Sequence, residues 1–172
     1  MTAPGPRVSV VLTVYNGMPH ISFAVESLLA QTFHTLEVIA VNDGSTDGSG
    51  DLLDAIAARD SRVRVLHQAN GGIVVALTAG LAAARGEYVA RMDADDRSHP
   101  ERIARQVAYL DAHPAVGALG TGSDVGTPDG THARQPPTSP ALVRWELRFN
   151  NPMTHPTVTM RRSAVEAVGG YR

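Results

Sequence analysis

The stretch Val8-Ser9-Val10-Val11-Leu12-Thr13-Val14 decides the fold of this chain. It is short, rich in β-branched residues and almost continuously apolar, as expected of a strand that is buried on both faces. Pro19 follows, and apolar residues then recur at helical spacing: Ile21, Ala24, Val25, Leu28 and Leu29. We therefore predict a buried strand followed by an amphipathic helix that begins near the proline.

The same alternation of strand and helix repeats three more times. Further strands are predicted at residues 36–41, 63–66 and 88–92. Each is followed by a predicted helix, and these helices contain residues 52–57, 76–84 and 103–110, the last opened by Pro100. Four strands alternating with four helices predict an α/β fold with a parallel sheet. Ligands of such a sheet are expected beyond the carboxyl ends of its strands.

The pattern changes after a predicted fifth strand at residues 116–119. Residues 121–140 are rich in Gly, Thr, Ser, Asp and Pro with weak periodicity, which predicts a loop or a loosely built excursion. A helix at 141–149 and a strand at 157–160 are predicted next. Ser163 and Glu166 then have the spacing of a capping box before a short helix.

The composition is that of a globular protein and excludes several kinds of site. The 172-residue chain is 43% hydrophobic and 19% charged, with a net charge of −2 and no block of basic residues, so nothing indicates a nucleic-acid-binding surface. It has no cysteine, which excludes disulfides and thiolate metal ligands. Neither GxGxxG nor GxxxxGK[ST] occurs, which argues against dinucleotide and P-loop sites.

The sequence shows no sign of export or membrane insertion. Residues 1–7 lack the apolar stretch of a signal peptide. No run approaches the ~20 apolar residues of a membrane span. We therefore expect no membrane segment in this chain and a cytoplasmic location, with association to a membrane left open.

A group of carboxylates follows the predicted strand at residues 88–92. Asp93, Asp95 and Asp96 stand there, and in an extended backbone Asp93 and Asp95 point to the same face. Two carboxylates about 4 Å apart repel by about 1 kcal/mol in water and by about 4 kcal/mol at an effective dielectric constant near 20. In a cleft this repulsion calls for a cation or a proton. Because hard oxygen ligands suit Mn²⁺ or Mg²⁺, we predict a divalent metal site.

An ordinary structural interpretation competes with the metal site. The segment can be a solvated acidic turn in which Asp96 or Ser98 caps the helix at Pro100. That interpretation is favoured for an isolated Asp-Xaa-Asp, because the motif is short and common. The position after an apolar strand, at the ligand edge of an α/β sheet, favours the metal site here.

Two other polar segments end predicted strands. Asp43, in Asn42-Asp43-Gly44-Ser45, can accept hydrogen bonds from a base or a ribose hydroxyl, but a tight turn and helix cap explains the segment equally well. At residues 13–17, the Thr13 hydroxyl and nearby backbone can bind a base or phosphate, and Tyr15 can stack on a ring. An ordinary strand-to-helix loop is the alternative.

His155 and three arginines are weaker candidates. His155 lies just before a predicted strand and can reach a diphosphate. Arg91, Arg161 and Arg162 can pair with phosphate groups. A structural histidine and surface arginines are the commoner explanations for such residues, and both stay open at this point.

Together these segments resemble the family 2 inverting glycosyltransferases, which have the GT-A fold. The resemblance is carried by VSVVLTVYNG (8–17), SLLAQTF (27–33), VNDGSTD (41–47), ARGEYVARMDADD (84–96), His155-Pro156-Thr157 and Gly169-Gly170-Tyr171-Arg172. Several matches in the family's order and spacing are far more specific than any one alone. The resemblance implies a GT-A fold, that is, a Rossmann-like, mostly parallel sheet flanked by helices.

The resemblance also implies a role for each matching position. The nucleotide-binding positions are Thr13, Val14, Tyr15, Asp43 and Asp93, with Thr13 and Asp43 at the base. Asp95 is implied as the direct metal ligand and Asp93 as a residue near both ribose and metal. The implied donor is a nucleotide-sugar, usually UDP-linked, with Mn²⁺ or Mg²⁺ on its diphosphate. The implied acceptor is a saccharide or a lipid-linked molecule, as in the synthesis of cell envelope polysaccharide.

The chain departs from the family pattern at three places. Asn42 stands where an aspartate is frequent, and Thr78 where an asparagine is common. The family's catalytic base, an aspartate, lies after the Gly-Gly-Tyr segment, so it is expected beyond Arg172, and no residue here matches it. We therefore divide the chain into a nucleotide-sugar-binding α/β core, residues 1–120, and the truncated start of an acceptor-side region, residues 121–172.

Three hypotheses about function follow. The first is a metal-assisted glycosyltransferase, or its donor-binding part, that transfers the sugar with inversion. The second is a nucleotide-sugar-binding fragment without catalysis. The third is a nucleotidyltransferase-like protein, which ranks last because residues 13–17 lack the basic, glycine-rich phosphate segment of that class.

Overall fold

The structure is a computed structural model that describes residues 5–127 and 129–172. Residues 1–4, part of the N-terminal stretch considered above, lie outside the described residues. So does Pro128, which belongs to the predicted excursion at 121–140.

Strands and helices alternate through the first part of the chain. The strands are β1 (Val8–Val14), β2 (Leu36–Asp43), β3 (Val63–Gln68) and β4 (Tyr88–Asp93). The helices are α1 (Ile21–Leu29), α2 (Ser49–Ala57), α3 (Ile73–Ala83) and α4 (Arg102–Ala112). The later elements are β5 (Ala118–Leu119), β6 (Ser123–Thr127), β7 (Gly130–Arg134), α5 (Pro140–Glu146), β8 (Thr159–Arg161) and α6 (Arg162–Ala167). A 3₁₀ turn, His155–Thr157, precedes β8.

Six strands form one mostly parallel sheet in the order β3-β2-β1-β4-β8-β5. The β1 strand pairs in parallel with β2 and β4, while β8 runs antiparallel to β4 and β5. Strand β8 comes from the second of the two predicted regions, so the sheet draws on both. The α/β fold predicted from the sequence is confirmed.

Two apolar layers enclose the sheet. All the residues of β1 and β2 are buried, as their continuous apolar runs require. One layer joins the sheet to α1, α4 and Leu53 of α2. The other joins Val11, Ile39 and Val41 to α3, and Tyr171 packs against it as well. Because an apolar layer covers each face of the sheet, the carboxyl edge of the sheet is rigidly supported.

Helix α3 approaches β1 closely because Gly80 has no side chain. A Cβ atom at Gly80 would lie 2.4 Å from Val11 Cγ1 and 3.3 Å from Val41 Cγ2. Real Cβ atoms do not approach another carbon to 2.4 Å, so the helix would have to move away. The glycine therefore sets the distance between α3 and the sheet, and with it the position of the α3 N-terminus at the ligand edge.

The structure corrects two predictions about residues 121–172. It also moves the ends of two earlier strands, β2 and β3. Residues 123–127 and 130–134 pair as the antiparallel strands β6 and β7, where a loop or a loosely built excursion was predicted. Helix α6 begins at Arg162 with no side-chain cap, so the capping box of Ser163 and Glu166 was wrong. Strands β2 and β3 each extend two residues beyond the predicted ends, because the ladder between them continues to Asp43 and Gln68.

The helix predicted to begin at Pro100 begins at Arg102. Its N-cap position is Glu101, which makes no side-chain cap hydrogen bond. Neither Asp96 nor Ser98 caps this helix. The Ser98 hydroxyl instead accepts a hydrogen bond from Gln31 Nε2 at 3.1 Å. Helix capping therefore does not explain the acidic cluster.

None of the helices within residues 5–127 and 129–172 has the length and apolar character that crossing a bilayer requires.

Candidate nucleotide and metal site

Three neighbouring strand ends form one cleft at the carboxyl edge of the sheet. In the ladder, Thr13 of β1 lies beside Val41 of β2 and Asp93 of β4. The cleft has a volume of about 560 Å³ and is lined by residues 13–18, His20, Asp43, Asn70, Gly72, Ile73, Ala76 and residues 93–95. The structure therefore brings together Thr13, Val14, Tyr15, Asp43, Asp93 and Asp95, six of the seven predicted site residues.

Thr13, Val14 and Tyr15 form the floor and one side of this cleft. Thr13 and Val14 are buried because they belong to β1. Tyr15 is the first residue after the strand, and 59% of it is exposed. An exposed aromatic ring at the wall of a cleft can stack on a planar ligand, since its face is not covered by protein.

The Asp43 carboxylate organises the loop that leads into α3. Its Oδ1 accepts hydrogen bonds from Gln68 Nε2 at 2.7 Å and from Gly71 N at 2.9 Å. Its Oδ2 accepts from Gly72 N at 2.9 Å. Burial alone would raise the pKa of Asp43, but the bonds from Gly71, Gln68 and Gly72 outweigh it and lower the pKa below its usual value. Asp43 is thus ionised at neutral pH.

Gly44 allows the chain to leave β2 beside this loop. Its φ of +73° lies in the left-handed region, which a side chain disfavours. A Cβ atom at Gly44 would also lie 2.7 Å from the backbone nitrogen of Asn70. The side chain of Asn70 in turn donates to the Asp43 carbonyl at 3.1 Å. The two loops therefore meet so closely that only glycine fits.

Asn16 and Ser45 join the loop after β1 to the loop after β2. Asn16 N donates to Ser45 Oγ at 3.0 Å, and Asn16 Oδ1 accepts from Thr46 N at 2.9 Å. Ser49 Oγ accepts from Gly17 N at 2.9 Å. Sequence analysis missed these contacts, because the residues were assigned to turns and only tertiary pairing shows that the two turns face each other.

Asn42 has a structural role at the position where the family often has an aspartate. Its Nδ2 lies 3.0 Å from His67 Nδ1, and His67 Nε2 lies 3.0 Å from Asp54 Oδ1. Asn42 Oδ1 accepts a hydrogen bond from Ser45 N at 3.1 Å. An amide donates on one side and accepts on the other, which an ionised aspartate cannot do.

Three aspartates at the end of β4 and just after it converge. Asp93, Asp95 and Asp96 each offer a carboxylate oxygen, and these oxygens lie within 4.8 Å of one another. An extended backbone was expected for these residues from the sequence, but the backbone is not extended here. It turns after Asp93, with Asp96 N donating to the Asp93 carbonyl at 3.3 Å. The turn brings the third carboxylate to the other two.

This donor set fits a small divalent cation. All three ligands are hard carboxylate oxygens, the type that Mg²⁺ and Mn²⁺ prefer. Burial, together with the negative charges of Asp93 and Asp95, raises the pKa of Asp96 above its usual value. A raised carboxyl pKa is the expected result of placing like charges together without a cation between them.

Arg91 holds Asp93. The arginine lies two residues earlier on β4, with a side chain that is 6% exposed. Its Nη1 donates to Asp93 Oδ2 at 2.6 Å, and its Nη2 pairs with Asp93 Oδ1. This two-pronged contact fixes the plane of the carboxylate. Among the described residues, Arg91 therefore pairs with Asp93 and is not free to bind a phosphate group.

His155 lies outside the cleft lining but close to its acidic side. It belongs to the 3₁₀ turn before β8, and its ring packs edge-on against Tyr171 at 5.8 Å between centroids. Burial lowers the pKa of His155, the positive charge of Arg91 lowers it further, and Asp93 opposes both. The imidazole is thus neutral at neutral pH.

Arg161 and Arg162 lie far from the cleft. In the ladder Arg161 pairs with Tyr88, at the opposite end of β4 from Asp93. Arg161 Nη2 donates to the Leu110 carbonyl at 2.6 Å, and Arg162 Nε donates to the Gly86 carbonyl at 2.9 Å. Both donate to backbone carbonyls there, so of the two alternatives left open for these arginines the structure favours a structural role over a phosphate contact.

The α/β fold, with a cleft at the carboxyl edge of its sheet, is the architecture that the sequence predicts for a glycosyltransferase. The model of the family described as Glycosyl transferase family 2 matches residues 9–169. The chain belongs to this family.

Two relatives are longer than the segment that they share with this chain. EpsE of Bacillus subtilis (strain 168) is 35% identical over 171 residues, which are 98% of this chain and 61% of EpsE. The glycosyltransferase GlyG of Streptococcus pneumoniae serotype 4 is 42% identical over 114 residues, which are 64% of this chain and 38% of GlyG. The chain thus spans less than two thirds of the length of each.

Two solved structures share the fold. The mannosyltransferase PcManGT from Pyrobaculum calidifontis, in complex with GDP-Man and Mn²⁺, has a TM-score of 0.73 at 25% identity, covering 98% of this chain and 48% of PcManGT. TarS 1–349 of S. aureus, in complex with UDP, has a TM-score of 0.73 at 23% identity, covering 96% and 49%. These similarities confirm the predicted GT-A fold.

Proposed function

We propose that this chain carries the donor site of a glycosyltransferase that moves a sugar from a nucleotide-sugar to an acceptor hydroxyl. One observation carries the proposal: Thr13, Asp43 and the Asp93–Asp95 segment, from three different strand ends, line a single cleft. The volume of about 560 Å³ lies within the usual range for small-molecule sites.

Each part of the cleft suits a part of such a donor. Tyr15 offers a face for the base, and the loop that Asp43 organises lines the same cleft through Asn70 and Gly72. Asp93 and Asp95 would hold Mn²⁺ or Mg²⁺ on the diphosphate. A bound divalent cation would stabilise the negative charge that develops on the leaving diphosphate. Neutral His155 is proposed as a further diphosphate contact.

The nucleoside is proposed to be uridine, and the transfer to proceed with inversion. Both follow from the family resemblance. TarS is described with UDP and PcManGT with GDP-Man, so the choice of base is the part of the proposal that most needs a direct test. The acceptor is proposed to be a saccharide or lipid-linked molecule of the cell envelope, and the location cytoplasmic.

Residues 121–172 are proposed as the start of the acceptor-side region. The hairpin β6–β7 forms a sheet of its own, and α5 has no buried residue. Trp145 and Phe149 pack against each other at 5.5 Å yet remain exposed. An open surface with aromatic side chains, connected to the sheet through β8, supports a role in contacting a second substrate.

Calorimetric titration of UDP and GDP, with and without Mn²⁺, tests the donor site. We expect UDP to bind in a metal-dependent way and more tightly than GDP. Asp95→Asn should weaken metal-dependent binding more than tenfold, because it removes a charged metal ligand. Asp51→Asn, an exposed carboxylate on α2, is the matched control and should bind as the unchanged protein does. If UDP does not bind the folded protein under any of these conditions, the proposal fails.

A second candidate function is nucleotide-sugar binding without transfer. Among residues 5–127 and 129–172, the carboxylates that line the cleft are Asp43, Asp93 and Asp95, and the proposal already gives each a binding role. No other carboxylate in the lining is left to act as a base. Release of UDP from UDP-sugars in the presence of Mn²⁺ and oligosaccharide acceptors distinguishes the two: turnover supports transfer, whereas binding without turnover supports the second candidate.

A further inference from the structure

Two arginines lie under the acidic cluster with part of their hydrogen-bonding capacity unused. Arg91 belongs to β4 and Arg102 to the first turn of α4. The Nε atom of Arg91, and the Nε and Nη2 atoms of Arg102, are buried without a hydrogen-bond partner. Buried guanidinium groups that leave donors unpaired cost free energy. The presence of two such buried arginines in this position therefore calls for an explanation beyond packing.

Arg102 is a cation without an ion pair among the described residues. Its Nη1 donates to two backbone carbonyls, Arg91 O at 3.2 Å and Pro156 O at 2.8 Å. Burial lowers the pKa of Arg102 to about 10, and the negative charge of Asp96 opposes that effect. The group therefore stays protonated at neutral pH and exerts its charge on the acidic cluster.

The charges of the site explain what two such arginines do. Three carboxylates at one place attract a divalent cation strongly, but they repel a diphosphate, which is itself an anion. The positive charges of Arg91 and Arg102, which lie under the acidic cluster, offset two of these three negative charges. They must therefore weaken the binding of a cation alone and strengthen the binding of a diphosphate, since the same positive charge acts on both ligands with opposite sign.

We propose that Arg91 and Arg102 set the charge balance of this site, so that it takes up a divalent cation together with a nucleoside diphosphate rather than the cation alone. This proposal rests on the proposed function. It makes Arg102 a positioning residue: its charge acts through the acidic cluster, and its hydrogen bond to Pro156 O fixes the turn that carries His155.

The test compares two affinities in each variant. Mn²⁺ is titrated alone, and UDP is titrated into protein held at saturating Mn²⁺. Arg102→Gln should raise the affinity for Mn²⁺ about threefold to tenfold and lower the affinity for UDP about tenfold, because one positive charge is removed near both ligands. Arg102→Lys keeps the charge and should restore both affinities toward those of the unchanged protein.

Arg105→Gln is the matched control on the same helix. Its side chain is 76% exposed and, among the described residues, pairs only with Glu101, one turn earlier on the surface, so both affinities should remain unchanged. Arg91→Gln provides a second variant on a different element, in case Arg102→Gln does not fold as judged by its thermal unfolding. It should lower the UDP affinity at saturating Mn²⁺ about tenfold as well.

The outcomes separate the two proposals. Opposite changes in the Mn²⁺ and UDP affinities of Arg102→Gln support the charge-balance role. If both affinities fall together, or neither changes, in a folded variant, the arginines have a structural role only and the inference is overturned. If the unchanged protein binds neither ligand, the proposed function itself fails.

Discussion

The carboxyl edge of the sheet contrasts with the hairpin region, by which we mean strands β6 and β7 together with helix α5 and Phe149. Strands β1 and β2 are buried along their whole length, and the loops that follow them are joined by side-chain hydrogen bonds. The hairpin strands β6 and β7 are almost wholly exposed, and α5 has no buried residue. The positions of the cleft residues are therefore set by the core beneath them, whereas β6, β7 and α5 are open surface.

The largest expected effect comes from breaking the packing beneath the cleft. Gly80→Val places carbon atoms where Val11 and Val41 already lie, and it should lower the free energy of unfolding by about 3 kcal/mol. Gly126→Val is the matched control in β6, where a Cβ atom would meet nothing within 4 Å. Urea unfolding measures both, and equal effects at the two glycines would contradict the contrast between the regions.

A smaller effect is expected at the Asp43 anchor. Asp43→Asn replaces one carboxylate oxygen with an amide nitrogen, which then faces either Gly72 N or the pair Gln68 Nε2 and Gly71 N, all of them donors. It should cost about 1–3 kcal/mol of stability. It should also weaken UDP binding, because the loop that ends at Gly72 lines the cleft. Asp124→Asn, on exposed β6, should change neither unfolding nor binding.

The pH dependence of stability follows from the same anchor. The pKa of Asp43 is lower in the folded protein than the ordinary 3.8, so its stabilising effect is complete above that value. It is lost as the pH falls through the lower pKa of the folded state. Unfolding measured between pH 5 and 2 should therefore show a smaller loss of stability in Asp43→Asn than in the unchanged protein. Parallel curves for the two would contradict the assignment.

The smallest effect is expected in the hairpin region. Trp145 is 56% exposed and Phe149 72% exposed, so Trp145→Ala should change the free energy of unfolding by no more than about 0.5 kcal/mol. Thermal unfolding measures this. A loss of several kcal/mol would mean that α5 is packed against other parts of the molecule and that the two regions are not as different as described.

Much of the sheet and its ligand edge could be predicted from the sequence, because long apolar runs and helical spacing are local signals. The runs at residues 8–14 and 36–41 were assigned to buried strands, and the β1 boundaries agree with the structure. The end of β2 was placed too early. The polar Asn42 and Asp43 resemble turn residues, and only the ladder to β3 keeps them in the strand.

The features that were missed depend on distant contacts. Strands β6 and β7, residues 123–127 and 130–134, have weak alternation, because none of these residues is buried and no apolar face was required. Arg161 was considered for phosphate, since its chemistry is suitable, but β8 pairs antiparallel with β4 and carries it to the opposite end of the sheet. Strand direction cannot be derived from a three-residue strand alone.

One measurement tests directly whether the carboxyl edge of the sheet is the nucleotide site. Backbone amide spectra of the ¹⁵N-labelled protein are recorded before and after addition of UDP with Mg²⁺. The account predicts that the signals of Gly17 and Gly72, which line the cleft, change, while those of Gly126 and Gly130 in the hairpin stay as they were. Changes centred on the hairpin, or none at either place, would contradict it.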